Sequence, residues 1–178
     1  TGSDGQEEGF VNAVNFRSMG YDFIGITDHY LYKPALDTLE FFRNADMDFT
    51  VVPGEEVHLP DNDVHIVNFG GKFSVNALLL DYVPSSEVGN EDSVRALPGV
   101  KPPAIISIDG YFEMIRKLAD TLTLPEEVDA FTYASCLWAY RMIAEAEGLS
   151  VFCHPCLPYY PVFHVPMPFT RYMLAQRP

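Results

Sequence analysis

Carboxylate and imidazole side chains recur along this 178-residue chain at positions where a metal ion could be bound. In chain order the candidate ligands are Asp4, His29, Glu56, His65 and His154. This combination of groups suits a divalent ion used in hydrolysis, such as zinc, manganese or iron. A single histidine of this kind is more often hydrogen-bonded within a polar loop. Because the right residue types recur in and near predicted strands, metal ligation is the better hypothesis for the set.

The elements that must position these residues are short strands. Apolar runs predict strands over residues 23–27, 48–52, 64–69 and 149–153. The first strand leads to Asp28-His29, and the last leads to His154. His65 lies inside the third, and Glu56 follows the second after Pro53-Gly54. The carboxyl ends of parallel strands gather at one face of an α/β fold, where catalytic groups are usually placed. We therefore expect these residues to meet at one edge.

Helical periodicity fills the intervals between the strands. It predicts helices over residues 7–19, from Pro34 onward, and over 109–122, 126–147 and 168–176. The mixture of helices and strands indicates the α/β fold class, in a single domain over residues 1–178. Residues 81–103 are rich in proline, glycine, serine and acids, which is typical of a surface loop. We interpret residues 81–147 as an insertion or family-variable region within that domain.

Five short motifs, taken in order, resemble the PHP family, the polymerase and histidinol phosphatase domains. They are Ser3-Asp4-Gly5, Ile26-Thr27-Asp28-His29, Pro53-Gly54-Glu55-Glu56, His65-Ile66-Val67 and Cys153-His154-Pro155. The resemblance covers nearly the whole chain and is weakest over residues 81–147. It implies a distorted (βα)7 TIM-like barrel, of which this chain would be a part. It also implies a metal cluster, often trinuclear, at the carboxyl ends of the strands. Most stand-alone members look like phosphoesterases.

The resemblance also assigns roles to the candidate ligands. Glu56 would bridge two metal ions, and His65 and His154 would complete the protein ligands of one of them. Asp4 and His29 would hold a further ion. Glu56 and His154 are thus the residues on which we expect catalysis to depend. The ions would lower the pKa of a bridging water, and the resulting hydroxide would attack the phosphorus of a small phosphorylated substrate.

The chain departs from the family pattern at both ends. The family places a His-x-His before its Ser-Asp-Gly segment and an Asp-x-His on a late strand. In this sequence no His-x-His precedes Ser3, and no Asp-x-His follows His154. We therefore expect a barrel truncated at both ends relative to a working enzyme. One alternative is an incomplete or degenerate barrel that binds metal without turnover or serves as a structural module. Another is a metal-dependent amide hydrolase, which would use the same ligand types.

Several further residues are weaker candidates. Lys33 and Arg171 are possible phosphate contacts, although each is more often a solvated charge. His58 lies two residues beyond Glu56, on the same side of an extended strand, and could be a substitute ligand or a phosphate contact. For His58 we favour a surface histidine. We interpret His164, which lies in a loop among Val, Pro and Phe, as a structural residue. The Cys153-to-Cys156 spacing follows a strand rather than opening a helix, so we discount a redox motif.

Composition excludes some classes of function. The chain has 11 basic and 25 acidic residues and a net charge of −14, which makes a nucleic-acid partner unlikely. No apolar run is long enough to predict a transmembrane segment. Three cysteines in a chain of this size do not predict a disulfide scaffold, so a reducing, cytoplasmic compartment is the expectation.

Overall fold

The computed structural model describes residues 3–80, 82, 96–155 and 165–176. Its helices are α1 (Gly9–Ser18), α2 (Lys33–Asn44), α3 (Ile108–Ala119), α4 (Ala130–Glu145) and α5 (Met167–Gln176), with a short 3-10 helix at Asn76–Leu78. Its strands are β1 (Phe23–Ile26), β2 (Thr50–Leu59), β3 (Asn62–Phe69) and β4 (Leu149–Phe152). The predicted α/β class is therefore confirmed.

The four strands form one mixed sheet in the order β1-β2-β3-β4. β1 is parallel to β2, with Gly25 opposite Val52. β3 is antiparallel to both of its neighbours, β2 and β4. The strands β1, β2 and β4 therefore run in one direction, and their carboxyl ends lie at the same edge. The expectation of parallel strands is wrong for β3, which brings its amino-terminal half to that edge.

Strand β2 continues well past the point where the sequence predicted its end. The Pro53-Gly54 pair was expected to close the strand, yet both residues lie inside it. Gly54 is needed because β3 approaches closely: a Cβ at this position would lie 2.5 Å from the Asn68 carbonyl oxygen. As a result, Glu56 and His58 are two residues apart on one continuous strand and face the same side of the sheet.

Two hydrophobic clusters support the sheet. The smaller one packs α1 and α2 against β1 and β2, through Ala13, Ile26, Ala35, Phe42, Phe49 and Val51. The larger one includes buried residues of β2 and β3 together with Tyr111 and Ile115 of α3 and Ala139 of α4. The helices within residues 81–147 thus contribute to the main core. That this region varies within a family stays a prediction, and residues 83–95 lie outside the described part.

Capping side chains set where the two core helices begin. The Ser107 hydroxyl accepts a hydrogen bond from the Gly110 amide at 3.1 Å, so α3 begins at Ile108, one residue before the predicted start. The Asp129 carboxylate accepts one from the Thr132 amide at 2.7 Å and starts α4. Among the described helices, none has both the length and the apolar character required to cross a membrane.

Candidate metal site

The candidate ligands meet where the ends of β1 and β4 lie against β2 and β3. After β1, the Tyr30 amide donates to the Glu56 carbonyl at 3.1 Å, and the Glu56 amide donates to the Asp28 carbonyl at 2.9 Å. These two bonds place His29 beside Glu56. At the other end, the Cys153 amide donates to the His65 carbonyl at 3.0 Å, which brings His154 beside His65.

The first group of side chains consists of Glu56, His65 and His154. Glu56 Oε1 lies 2.7 Å from His65 Nδ1 and 3.5 Å from His154 Nε2. His65 Nδ1 and His154 Nε2 are 3.2 Å apart. Donor atoms that share a tetrahedral ion at about 2.0–2.1 Å should be separated by about 3.3 Å. The two separations that involve His154 match this spacing, whereas Glu56 Oε1 and His65 Nδ1 are closer together and would have to separate by about 0.6 Å to share one ion.

Glu56 Oε1 is the atom that distinguishes a metal site from ordinary hydrogen bonding. It is buried, and no described donor reaches it with hydrogen-bonding geometry. Even so, ring nitrogens of His65, His154 and His58 all lie within 3.7 Å of it. A buried carboxylate oxygen is costly unless a donor or a cation satisfies it. A divalent ion bound among these nitrogens would satisfy it, so the residues fit such an ion.

A second group consists of His29, Glu56 and His58. His29 Nδ1 lies 2.9 Å from His58 Nε2 and 3.5 Å from Glu56 Oε2. Glu56 thus directs one oxygen towards each group, as a bridging carboxylate would. Its position agrees with the bridging role that the family resemblance implies, which stays a prediction.

Asp4 occupies a different place from the other predicted ligands. Its Oδ2 lies 3.3 Å from His29 Nε2, on the far side of the ring from Glu56. Ser3 fixes this segment, because its amide and hydroxyl donate to Asp28 Oδ1 at 2.8 and 3.1 Å. A carboxylate on the outer nitrogen of a metal-binding histidine orients the ring. In this geometry Asp4 orients His29, and direct ligation by Asp4 stays a prediction.

His58 is the largest correction to the sequence-based view of the site. It was interpreted as a surface histidine, but only 7% of it is exposed. The extension of β2 through Pro53-Gly54 carries His58 onto the same face as Glu56, and Tyr30 stacks on its ring with centroids 4.1 Å apart. The alternative role as a substitute ligand is the one that this position favours.

Charge and burial together set the protonation of the central groups. Burial alone would raise the pKa of Glu56, but the His65 ring nitrogen 2.7 Å away and the other histidines around the carboxylate outweigh it and hold this pKa at about 2. Burial, reinforced by neighbouring His65, lowers the pKa of His58 to about 3. Glu56 is therefore ionised and His58 neutral at physiological pH. Those are the forms in which both side chains bind metals.

A cavity of about 520 Å³ opens beside the histidines. Its walls include His58 and His65 together with Tyr30, Asp61, Asp63 and Tyr82. Neither Lys33 nor Arg171 lines it. The Lys33 ammonium lies 2.8 Å from the Asp37 carboxylate, and Arg171 is exposed on α5. Their proposed contact with phosphate stays a prediction.

Two other sequence-based interpretations concern cysteine and histidine outside the cluster. Burial raises the pKa of the Cys153 thiol to about 11, which agrees with discounting a redox motif. Cys156 and His164 lie outside the described residues.

Sequence reasoning missed a buried polar network directly behind the site. Glu55 is fully buried and accepts hydrogen bonds from the Ser74 hydroxyl, the Val75 amide and the side chains of Asn68 and Asn76. One signal was available. Adjacent residues of a strand face opposite sides, so if Glu56 faces the site, Glu55 must be buried behind it and requires donors.

Comparison of the sequence with known protein-family models and with curated proteins found no match.

Proposed function

We propose that this chain is a metal-dependent phosphoesterase that acts on a small phosphorylated molecule. The observation that carries the proposal is the convergence of three histidine nitrogens on the buried Glu56 Oε1, an atom without a hydrogen bond. The two-histidine, one-carboxylate set of Glu56, His65 and His154 is a common arrangement in hydrolytic metal sites with an open coordination position. The five motifs that resemble the PHP family favour phosphoester chemistry.

The protein's own groups act mainly by holding charge in place. Glu56 is ionised and offers one oxygen to each histidine pair, so it can draw two cations together. His58 is neutral, and Asp4 fixes the ring of His29 from behind. When bound, divalent ions such as zinc, manganese or iron would activate water and neutralise the oxygens of a phosphoryl group. No lysine or arginine among the described residues lines the cavity. The ions themselves would therefore bind the phosphoryl oxygens.

The cavity limits the kind of substrate. Its volume of about 520 Å³ suits a small molecule, and its acidic and aromatic walls suit an uncharged or cationic organic group. A long nucleic acid would need a basic channel, whereas the chain carries a net charge of −14. We therefore propose a phosphorylated small molecule with no second anionic group, and no nucleic-acid partner.

We also propose an architecture and a cellular compartment for this chain. A partial distorted (βα)7 barrel is supported by the common direction of β1, β2 and β4. Exposed apolar side chains on both outer strands of the described sheet, such as Phe23 and Leu149, agree with further packing there. We also propose a reducing, cytoplasmic compartment, in which Cys136 and Cys153 would stay free thiols.

A metal-dependent amide hydrolase is the second candidate. The observation that favours it is the pair Asp61 and Asp63 at the cavity, because carboxylates repel a phosphate dianion but tolerate an uncharged amide.

Hydrolysis assays with two substrate panels separate the two candidates. The protein would be stripped with chelator, reloaded with zinc, manganese or iron, and given phosphomonoesters and N-acyl amides. We expect release of phosphate that requires the added ion and is lost in Glu56→Gln. A Glu113→Gln variant, which changes an exposed carboxylate on α3, is the matched control and should retain activity. Amide cleavage without phosphate release would favour the second candidate. Metal binding without turnover of either panel would favour the non-catalytic alternative.

A further inference from the structure

Strand β2 loses a neighbouring strand at the point where it presents His58. The segment after β1 pairs with β2 as far as Glu56. The chain then turns away at Tyr30, whose φ of 62° takes the backbone out of the extended conformation. A register shift also interrupts the pairing of β2 with β3 between Val57 and Leu59. The backbone around His58 therefore needs another partner to stay extended.

The side chain of Asn76 provides that partner. Its Oδ1 accepts a hydrogen bond from the His58 amide at 3.1 Å, and its Nδ2 donates to the Glu56 carbonyl at 3.0 Å. A residue in a neighbouring parallel strand would bond to the same pair of groups, a carbonyl and the amide two residues later. A single amide side chain thus continues the ladder for one more step.

The orientation of this amide is fixed by its third contact. Asn76 Nδ2 also donates to Glu55 Oε2 at 2.9 Å, so the nitrogen must face the carboxylate and the oxygen must face the His58 amide. Asn76 is fully buried. The network of Glu55 therefore holds a rigid side chain against the backbone of two candidate metal ligands.

Asn68 provides a comparison within the same network. It is equally buried and donates to Glu55 Oε1 at 3.2 Å and to the Phe73 carbonyl at 3.1 Å. Among the described residues, the Asn68 side chain makes no hydrogen bond to the backbone of Glu56 or His58. Loss of either asparagine should destabilise the core, but only loss of Asn76 should release the ligands.

We propose that Asn76 is a positioning residue that holds Glu56 and His58 in place for a divalent cation bound by His29, Glu56 and His58. This inference rests on the proposed function, since it assumes a metal centre. It assigns His58 to that centre and explains how β2 presents this residue where the pairing on the β1 side has ended. Groups that orient metal ligands in this way typically contribute about 10- to 100-fold to metal affinity.

Cobalt titration of the metal-free protein tests the inference. Bound cobalt would be counted by equilibrium dialysis, and its ligands followed by visible absorption. We expect the wild type to bind two equivalents. In Asn76→Ala the affinity for the equivalent held at His29 and His58 should fall about 10- to 100-fold, and its absorption band should change. In Asn68→Ala both equivalents should be retained, even though both variants lose stability.

The outcomes separate this inference from the function on which it rests. If wild type binds no cobalt, the proposed function and the inference both fail. If it binds one equivalent that depends on His65 and His154, the proposed site stands and the inference fails. If Asn76→Ala and Asn68→Ala bind alike, Asn76 is only structural and the inference is overturned.

A measurement on the wild type keeps the test decisive if Asn76→Ala does not fold. Amide hydrogen exchange of His58 would be followed as zinc is added. We expect at least about 10-fold slower exchange when the second equivalent binds, since opening of the His58–Asn76 bond would then require release of the ion. Unchanged His58 exchange after the second equivalent would overturn the inference.

Discussion

The two faces of strand β2 present neighbouring carboxylates in opposite conditions. On the core side, Glu55 is fully buried and accepts four hydrogen bonds, from Ser74, Val75, Asn68 and Asn76. On the site side, Glu56 is also largely enclosed, but its buried Oε1 has no hydrogen bond and faces histidine nitrogens. The fold supplies hydrogen-bond donors to both oxygens of Glu55. Among the described residues it supplies none to Glu56 Oε1, which would be satisfied by a bound cation.

This contrast separates structure from function at adjacent positions. A buried carboxylate with a full set of donors stabilises the fold only as long as the whole network is intact. A buried carboxylate oxygen without a donor is a cost that the fold tolerates where a ligand compensates for it. We therefore expect changes at Glu55 to affect folding, and changes at Glu56 to affect metal binding.

The largest expected effect is the loss of stability in Glu55→Ala. This change removes the acceptor of four buried hydrogen bonds, so the free energy of unfolding should fall by about 3 kcal/mol or more. Urea denaturation followed by circular dichroism measures it. Glu113→Ala, at an exposed carboxylate, should change stability by less than about 0.5 kcal/mol. Equal effects of the two changes would contradict the structural role assigned to Glu55.

The complementary change, Glu56→Gln, should affect binding far more than folding. It removes the charge shared by both histidine groups, so zinc affinity should fall by about 100-fold or more, whereas the free energy of unfolding of the metal-free protein should fall by less than it does in Glu55→Ala. Isothermal titration calorimetry and urea denaturation measure the two quantities. A variant that binds zinc normally would remove the distinction between the two faces of β2.

The pH dependence of the metal-free protein sharpens the comparison on the site side. The pKa of His58 is about 3 in the folded chain, whereas its ordinary value is 6.5. As the pH is lowered, His58 is therefore protonated in the unfolded chain before it is protonated in the folded chain. The pKa of Glu56 is about 2 in the folded chain and ordinarily 4.5, so the same difference in protonation arises for Glu56 at lower pH. Both shifts make the free energy of unfolding fall as pH is lowered, from about pH 6.5 for His58 and from about 4.5 for Glu56.

Urea denaturation of metal-free wild type and His58→Gln at several pH values measures this dependence. The variant should show a shallower decline between pH 6.5 and 4.5, where His58 is the group whose proton uptake is shifted. An identical slope in both proteins would mean that His58 is not held neutral by its surroundings.

The smallest expected effect is that of Lys33→Ala, on the outer face of α2. This change removes an exposed pair with Asp37 at a four-residue spacing, so stability should fall by less than about 0.5 kcal/mol. Zinc affinity should stay unchanged. If phosphate release fell sharply with zinc affinity intact, the sequence-based prediction of a phosphate contact at Lys33 would gain support.

The sequence predicted the strands, most of the helices and the ligand types, because apolar periodicity and residue chemistry are local signals. The prediction was wrong at Pro53-Gly54, where the glycine is required by the close approach of β3 and not by a turn. Because the strand was predicted to end there, His58 was interpreted as a surface residue. The antiparallel pairing of β3 and the network around Glu55 depend on contacts between distant residues. Asn76, in particular, is 18 residues from the His58 amide that it accepts from. No local pattern predicts such a contact.

Anomalous X-ray scattering from crystals grown with zinc is the most direct test of the central claim. The account predicts a peak within about 2.0–2.2 Å of Glu56 Oε1, His65 Nδ1 and His154 Nε2 together. The peak should be absent in crystals of Glu56→Gln. Zinc bound only elsewhere, or a wild-type cluster closed by direct histidine hydrogen bonds in the presence of excess zinc, would contradict the account.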